Sequence, residues 1–130
     1  MRFAIVTPVL NGEKLIENTI KSITSQNGIS SGEIQIDYLV VDGSSSDNTV
    51  QRAEKALGGY GRVISESDSG MYDALAKGFS RVSGDVYFYL NAGDFLQPNA
   101  LMNLKSIFEN TDSLWICGLQ LHYSKNGSLI

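Results

Sequence analysis

Apolar residues along the chain form short continuous runs that alternate with stretches of helical spacing. The runs are bounded by Gly, Pro, Asn, Asp and Ser, which is typical of buried strands between turns. They predict strands over Phe3–Val6, Ile34–Val41, Arg62–Glu66 and Val86–Leu90. Between them, apolar residues recur every three or four positions, as on the buried face of a helix. The pattern therefore predicts strands and helices in alternation.

Four helices follow from this spacing, over residues 13–25, 47–57, 71–82 and 98–108. Asn11 is the predicted N-cap of the first helix and Asp47 that of the second. Pro8 cannot donate to a ladder and is expected to mark the exit of the first strand. The alternation indicates a doubly wound, mostly parallel α/β sheet with right-handed crossovers. Residues 1–130 are expected to form this single α/β domain.

The segment Val86–Leu90 is expected to be a central strand, because its apolar and aromatic residues follow one another without a polar break. Its three aromatic residues are expected in the core. The strand leads into Asn91-Ala92-Gly93-Asp94, so one carboxylate lies just past its carboxyl end. Ligands of open α/β sheets bind outside these ends, which makes Asp94 a candidate metal ligand. The alternative is that Asp94 only caps a turn.

A further apolar segment, Trp115–Leu121, predicts another strand, and Asn126-Gly127 predicts the hairpin turn that follows it. Part of that strand would stay unpaired, so self-association is expected. Cys117, the only cysteine, is expected to be a buried thiol in a reducing compartment. His122, the only histidine, is interpreted as an exposed strand-end residue rather than a ligand.

Composition and charge narrow the classes of function. A chain of 130 residues, 42% hydrophobic and 18% charged, is typical of one globular domain. The net charge of −4 and the lack of a Lys/Arg cluster argue against a nucleic-acid surface. No signal peptide or transmembrane segment is predicted. We therefore expect a cytoplasmic location, including a peripheral one on the inner face of the membrane.

Polar residues follow each predicted strand, at what would be one edge of a parallel sheet. Three of these four loops contain an Asp, and none is a Gly-x-Gly-x-x-Gly or Gly-Lys-Ser/Thr loop, so the usual dinucleotide and P-loop sites are excluded. An acidic site holds a phosphate chain through a divalent cation that carboxylates bind and phosphates complete. The loops thus predict a metal–nucleotide site. The alternative is that Asp42 and Asp68 form Asx turns.

Four motifs at consistent spacing resemble the family-2 glycosyltransferases of the GT-A fold. Three of them are Ile5-Val6-Thr7-Pro8-Val9-Leu10-Asn11, Val40-Val41-Asp42-Gly43-Ser44-Ser45-Ser46-Asp47-Asn48-Thr49 and Leu90-Asn91-Ala92-Gly93-Asp94. The fourth, Asp68-Ser69-Gly70-Met71-Tyr72-Asp73-Ala74-Leu75-Ala76-Lys77-Gly78, is similar to a branch that builds bacterial surface polysaccharides. Together they cover nearly the whole chain in order.

The resemblance implies inverting transfer from a nucleotide-sugar, most often a UDP-sugar, to a polysaccharide or lipid-linked acceptor. It implies Mn²⁺ or Mg²⁺ at Asp94 and a base that hydrogen-bonds to Asp42. The other implied nucleotide contacts are Thr7, Pro8, Leu10, Asn11, Asp68 and Gly70. Contacts to the donor sugar or diphosphate are implied for Tyr72, Asp73, Lys77, Asn91, Ala92 and Gly93.

The chain departs from the family pattern at a few positions. Acids are frequent in the family where this chain has Asn91, Gly93 and, after Asp42, Gly43. The branch usually has Asn where this chain has Ala76. Metal binding is then expected to rest on Asp94 and the phosphates.

The family's catalytic base follows the metal motif at a distance, so it is expected beyond Ile130. Glu109 and Asp112 are the only acids after Asp94, and neither is a candidate base. One alternative function is therefore an inactive relative that still binds a nucleotide. A flavodoxin-like or receiver-type signalling domain is a second alternative, although the first strand ends in Thr7-Pro8 rather than in the acids a receiver needs.

Overall fold

The computed structural model describes all residues from 1 to 130, and its strands form one parallel sheet. The strands are β1 (Arg2–Val9), β2 (Gln35–Asp42), β3 (Gly61–Ser65) and β4 (Val86–Tyr89), in the order β3-β2-β1-β4. The helices are α1 (Ile16–Thr24), α2 (Thr49–Leu57), α3 (Met71–Phe79) and α4 (Ala100–Asn110). The predicted α/β class and the alternation of elements are confirmed. The flavodoxin-like order, in which β1 lies between β2 and β3, is excluded.

Helices cover both faces of the sheet. Alternate side chains of β1 and β2, such as Phe3, Ile5 and Tyr38, pack with α1, α2 and the buried Leu101 of α4. The intervening side chains, such as Val6 and Val41, pack against α3 on the other face. Because successive residues of a strand point to opposite faces, β1 and β2 are buried on both sides. None of the helices is both long and apolar enough to cross a membrane.

Strand β4 lies at the edge of the sheet, so its prediction as a central strand is wrong. Burial alternates along it, and Tyr87 and Tyr89 are 51% and 45% exposed. Phe88 points inward, with its ring edge-on to Phe3 at a centroid distance of 6.3 Å. Aromatic residues favour edge and central strands alike, so an unbroken apolar run does not distinguish the two positions.

Strand β1 continues through Pro8 to Val9, which corrects the predicted exit of the strand. Val9 C=O accepts the Gly43 N–H at 2.9 Å on the β2 side, whereas Val6 C=O accepts the Leu90 N–H on the β4 side. Because the backbone groups of successive residues in a strand point to alternate sides, the nitrogen of Pro8 faces β4. The pairing of β4 with β1 stops at Val6. No ladder hydrogen bond is lost, and the proline is tolerated there.

Both predicted N-caps act differently from expectation. Asn11 lies four residues before Leu15, the N-cap of α1, at a φ of 49°, and its Oδ1 accepts the Ser46 N–H. Asp47 precedes the N-cap of α2 by one residue but still accepts the Thr49 N–H at 3.0 Å. The first helical turns start later than predicted because polar side chains of the preceding loops bind one another instead.

The segment after α4 has no regular structure, so the predicted strand over Trp115–Leu121 is wrong. Leu114 and Trp115 are 99% and 79% exposed, and Cys117 is exposed rather than buried. Apolar composition does not by itself supply a ladder partner, and β4 pairs only with β1. The predicted hairpin turn is confirmed by a bridge between Tyr123 and Leu129. His122 is exposed, as expected.

Candidate functional site

A cavity of about 330 Å³ opens at the carboxyl ends of β1 and β4, and we call it the cleft. The strand order reverses here, because β2 and β3 follow β1 on one side and β4 returns on the other. Such a switch point is the usual ligand site of an open α/β sheet. Its walls come from residues 8–12, the start of α3 and the loop after β4. Of the predicted site residues, the cleft brings together Pro8, Leu10, Asn11, Asp68, Gly70, Asn91 and Ala92.

Thr7 does not line the cleft. It is fully buried beneath it, and its Oγ1 lies 2.9 Å from the hydroxyl of Tyr38. Burial raises the pKa of Tyr38, whose phenol stays protonated. The side chain of Thr7 points from β1 toward α1 and α2 while Pro8 points to the other face, and the contact of Thr7 with a nucleoside stays a prediction.

Asp42 is also fully buried, outside the cleft wall. Its carboxylate accepts the Ser45 N–H at 3.0 Å and the Ser65 hydroxyl at 2.6 Å. The Ser45 hydroxyl donates to the other carboxylate oxygen. In this structure Asp42 thus orders the loop after β2, through an N–H three residues on rather than the two of an Asx turn.

A reciprocal network joins the loops after β1 and β2. The Asn11 N–H donates to Ser45 Oγ at 2.7 Å, and the Ser46 N–H donates to Asn11 Oδ1 at 2.9 Å. Deeper in, Thr49 Oγ1 accepts the Gly12 N–H at 2.9 Å. These bonds hold Asn11 and Ser44 at positive φ, where non-glycine residues are uncommon. The polar residues of the second motif thus shape the first wall of the cleft.

Asp47 and Glu13 complete this network. The Glu13 N–H donates to Asp47 Oδ2 at 3.2 Å, and the Asn48 N–H donates to Glu13 Oε2 at 3.0 Å. The hydrogen bond from the Thr49 side chain holds the pKa of Asp47 below its ordinary value, with help from backbone N–H groups. Asp47 therefore stays ionised as a loop anchor.

Asp68 takes the space that a side chain at position 43 would fill. A Cβ added to Gly43 would lie 2.9 Å from Asp68 Oδ2. The other oxygen, Oδ1, accepts the Gly70 N–H at 2.9 Å, which is an Asx turn. A carboxylate thus reaches the end of β2 from the loop after β3, beside a position where the resembled family often has an acid.

Tyr72, Asp73 and Lys77 lie on α3 but do not line the cleft. Tyr72 is 79% exposed. Asp73 accepts the Ser69 N–H and pairs with Lys77 at 3.0 Å, and these two contacts hold its pKa below the ordinary value. Lys77 also donates to Ser67 C=O at 2.9 Å. Asp73 and Lys77 are therefore bonded to each other and to the loop that precedes α3.

Asn91 lines the cleft and carries a buried, unpaired acceptor. Its Oδ1 is the one buried side-chain nitrogen or oxygen without a hydrogen-bond partner. An orphaned acceptor is costly unless a ligand or water donates to it, so this atom is suited to a hydroxyl donor.

Asp94 closes the turn Asn91–Asp94, which we call the acidic turn. Its N–H donates to Asn91 C=O at 3.0 Å, and Gly93 occupies the third position at a φ of 102°, as a type II turn requires. The Asp94 side chain is exposed and lies in the wall of a second cavity of about 440 Å³, together with Gly93 and His122.

The residues present fit a divalent ion only if a ligand completes its coordination. No group of three or more His, Cys, Asp or Glu side chains is arranged to hold a metal. Mg²⁺ in nucleotide sites is typically held by one or two carboxylates with phosphate oxygens and waters, and the exposed Asp94 suits that role. Glu109 pairs with Lys105 on α4, and neither it nor Asp112 lines the cleft.

Sequence reasoning missed several residues that build the site without lining it. Ser45 and Thr49 are predicted only as parts of a motif, and Thr19 is not among the predicted site residues. Thr19 Oγ1 accepts the Gly93 N–H at 2.9 Å, across 74 residues of sequence. Buried hydroxyls within an apolar helical face were the available signal, because such groups need partners.

Comparison with known proteins gives a consistent result. The family model for glycosyl transferase family 2 matches residues 4–130. An uncharacterized glycosyltransferase of Mycobacterium tuberculosis is 30% identical over 91 residues, which are 70% of this chain and 33% of that protein. The chain spans about a third of the length of the curated relatives it matches.

Solved structures share the fold. S. aureus TarS (residues 1–349) in complex with UDP-GlcNAc superposes with a TM-score of 0.75 at 20% identity, over 84% of this chain and 31% of that one. Glucosyl-3-phosphoglycerate synthase of Mycobacterium tuberculosis, in complex with Mn²⁺, UDP and glucosyl-3-phosphoglycerate, gives 0.58 at 28% identity, over 70% and 33%. The sheet and its helices match the GT-A fold of these glycosyltransferases.

Proposed function

The chain belongs to glycosyl transferase family 2, and we propose that its cleft binds the nucleotide of a UDP-sugar donor. The observation that carries this proposal is the cleft itself, which joins three sequence motifs at the switch point of the sheet. The S. aureus and Mycobacterium tuberculosis structures that share the fold hold UDP-GlcNAc or UDP, which supports uridine as the nucleoside.

The walls of the cleft suit the parts of such a donor. Pro8 and Leu10 offer apolar surface for the base and ribose, and Leu10 is 62% exposed at the mouth. The unpaired Oδ1 of Asn91 is buried in this structure and would accept a hydrogen bond from a hydroxyl of the ribose or sugar once the side chain turns toward the cleft. Gly70 and Met71, at the N-terminal end of α3, turn the positive end of the helix dipole toward the phosphates.

We assign the metal to Asp94. Asp68 places a carboxylate in the cleft, so a diphosphate entering there needs a cation to offset the repulsion. A divalent ion, Mn²⁺ or Mg²⁺, would supply that charge and stabilise the departing nucleoside diphosphate. Asp94 lies free on the surface to bind it, three residues after the Asn91 acceptor.

The reaction we propose is transfer of a hexosyl group, with inversion, to a polysaccharide or lipid-linked acceptor. We place it on the cytoplasmic side, peripheral to the membrane if the acceptor is a lipid. The exposed apolar side chains of Leu114, Trp115 and Leu119 beside the free edge of β4 also favour self-association of this chain.

Calorimetric titration of the protein with UDP tests the proposal. UDP is expected to bind more tightly with Mn²⁺ than without it, and more tightly than CDP or GDP. Asp94→Ala should remove the gain from Mn²⁺ while leaving metal-free UDP binding in place. Asp112→Ala, which removes an exposed carboxylate outside the cleft, is the control. No binding of UDP, or equal affinity with and without Mn²⁺, would contradict the proposal.

The second candidate is a nucleotide-binding relative without transferase activity. It is favoured because Asp68 is the only acid that lines the cleft, and Asp68 already accepts a backbone hydrogen bond. Release of UDP from a UDP-sugar, with and without added acceptor, separates the candidates. UDP binding without any turnover supports the second.

A further inference from the structure

Helix α1 holds the loop after β4 through polar side chains on one of its faces. Thr19 Oγ1 accepts the Gly93 N–H at 2.9 Å, and Ser22 Oγ accepts the Leu96 N–H at 3.1 Å. Gln26, just past the end of α1, accepts the Leu101 N–H at 3.2 Å and donates to Gln97 C=O at 2.9 Å. We call Thr19, Ser22 and Gln26 the α1 clamp.

The clamp is directional, because its hydroxyls give their own protons to α1. Ser22 Oγ donates to Thr19 C=O at 2.7 Å, and the nearest acceptor for the Thr19 hydroxyl is Leu15 C=O at 3.5 Å. The lone pairs of both oxygens are thereby presented to the loop. The two oxygens therefore accept from N–H groups of the loop, which sets how the loop lies against α1.

Two of the three clamp residues are buried, at a free-energy cost that apolar residues would avoid. Thr19 is fully buried and Gln26 is 5% exposed, in the same helical stretch as the core residues Ile16, Ile20 and Ile23. Buried polar groups stabilise a fold only when they are hydrogen-bonded. All partners of the clamp outside its own helix are backbone groups of residues 93–101, so what it specifies is the path of that loop.

We propose that the α1 clamp positions the acidic turn for metal binding, with Thr19 as the principal positioning residue. Thr19 accepts the N–H of Gly93, the residue directly before Asp94, and thereby sets the direction in which the Asp94 side chain extends from the turn. This inference rests on the proposed function for its ligand. The clamp does not touch the metal or the nucleotide, and it acts through the backbone of the turn.

Two measurements on the purified protein test the inference. The first is amide hydrogen exchange of residues 91–97, and the second is the gain in UDP affinity that Mn²⁺ provides. Thr19→Val keeps the shape of the side chain but withdraws the acceptor. It should speed exchange in the acidic turn and reduce the Mn²⁺-dependent gain by roughly 5- to 30-fold, while UDP affinity without metal changes less.

Two matched variants separate positioning from stability. Thr19→Ser returns the hydroxyl and should restore both readouts. Ile23→Val trims the buried apolar face of α1 and should lower stability without altering either. If Thr19→Val does not fold, Ser22→Ala carries the same test at the next hydrogen bond.

The outcomes also separate this inference from the function it rests on. A wild-type protein whose UDP affinity ignores Mn²⁺ overturns the proposed metal role, and the clamp is then judged by exchange alone. Unchanged exchange and an unchanged Mn²⁺ gain in Thr19→Val, or an equal loss of both in Ile23→Val, overturns the inference.

Discussion

The hydroxyls of Thr7 and Tyr38 meet at 2.9 Å in the fully buried layer beneath the cleft. They join β1 to β2 at the point where both strands approach the ligand site. Each group is the partner of the other, so removal of one leaves a buried hydroxyl unpaired. The pair therefore stabilises the core between the sheet and helices α1 and α2 rather than the wall of the cleft.

A double-mutant cycle tests this relationship. Thr7→Val and Tyr38→Phe should each lower the free energy of unfolding by about 1–3 kcal/mol, because each leaves one hydroxyl unsatisfied. The double variant should cost less than the sum of the two, since neither hydroxyl then remains. Urea denaturation measures all four proteins. Strictly additive losses would show that the two hydroxyls do not depend on each other.

Ser45 links the two loops that the sequence motifs contribute to the cleft. Ser45→Ala removes the acceptor of the Asn11 N–H and a donor to Asp42, and should cost about 1–3 kcal/mol of stability and weaken UDP binding. Ser45→Thr keeps the hydroxyl and is the control. Full UDP affinity in Ser45→Ala would mean that the wall holds its shape without this link.

Close packing of α3 on the sheet depends on Gly78. A Cβ there would lie 2.5 Å from Val6 Cγ1, so Gly78→Ala should destabilise the protein by about 1–3 kcal/mol through overpacking. Val6→Ala in the same chain removes the clash, and the double variant should cost less than the sum of the single changes. Thermal unfolding of the single and double variants decides this. A neutral Gly78→Ala would contradict the packing described here.

The amino-terminal end of the sheet carries a carboxylate that makes stability depend on pH. Burial raises the pKa of Asp37, but hydrogen bonds from Arg62 and the Ser83 N–H, with the charges of Arg62 and Arg2, outweigh it and leave the pKa below its ordinary value. A lowered folded-state pKa stabilises the protein above the unfolded value of about 3.9, and this contribution is lost as the pH falls through the folded value.

Asp37→Asn should therefore flatten the loss of stability with falling pH. Unfolding free energies measured from pH 7 to below pH 4 test this, with the wild type at each pH as reference. Part of the acid sensitivity should remain, because the pKa values of Asp47 and Asp73 are also lowered. An unchanged slope in Asp37→Asn would contradict the assignment.

The order and type of the elements could be predicted from the sequence, because short continuous apolar runs and apolar residues at a spacing of three to four leave distinct patterns. The position of β4 in the sheet could not, since its aromatic run suits an edge and a centre equally. The strand predicted over Trp115–Leu121 does not form for a related reason: strand propensity does not create a partner strand.

The site was predicted at the level of loops rather than of atoms. Motif residues at strand ends alternate in direction, so Pro8 reaches the cleft while Thr7 faces the core. Asp42 was assigned to a ligand because the sequence does not show that Ser45 and Ser65 satisfy it. The α1 clamp joins residues 74 positions apart, a distance over which local pattern carries no information.

Hydrogen exchange with and without UDP and Mn²⁺ tests the central claim most directly, because the cleft is not the largest cavity of the chain. We expect protection in residues 8–12, in residues 68–71 and at Asn91 and Ala92, which contribute to the lining of the cleft, and in the rest of the acidic turn through the metal. We expect none along the apolar groove of about 500 Å³ between β4 and Trp115. Protection confined to that groove, or spread evenly over the chain, would contradict the assignment of the cleft as the nucleotide site.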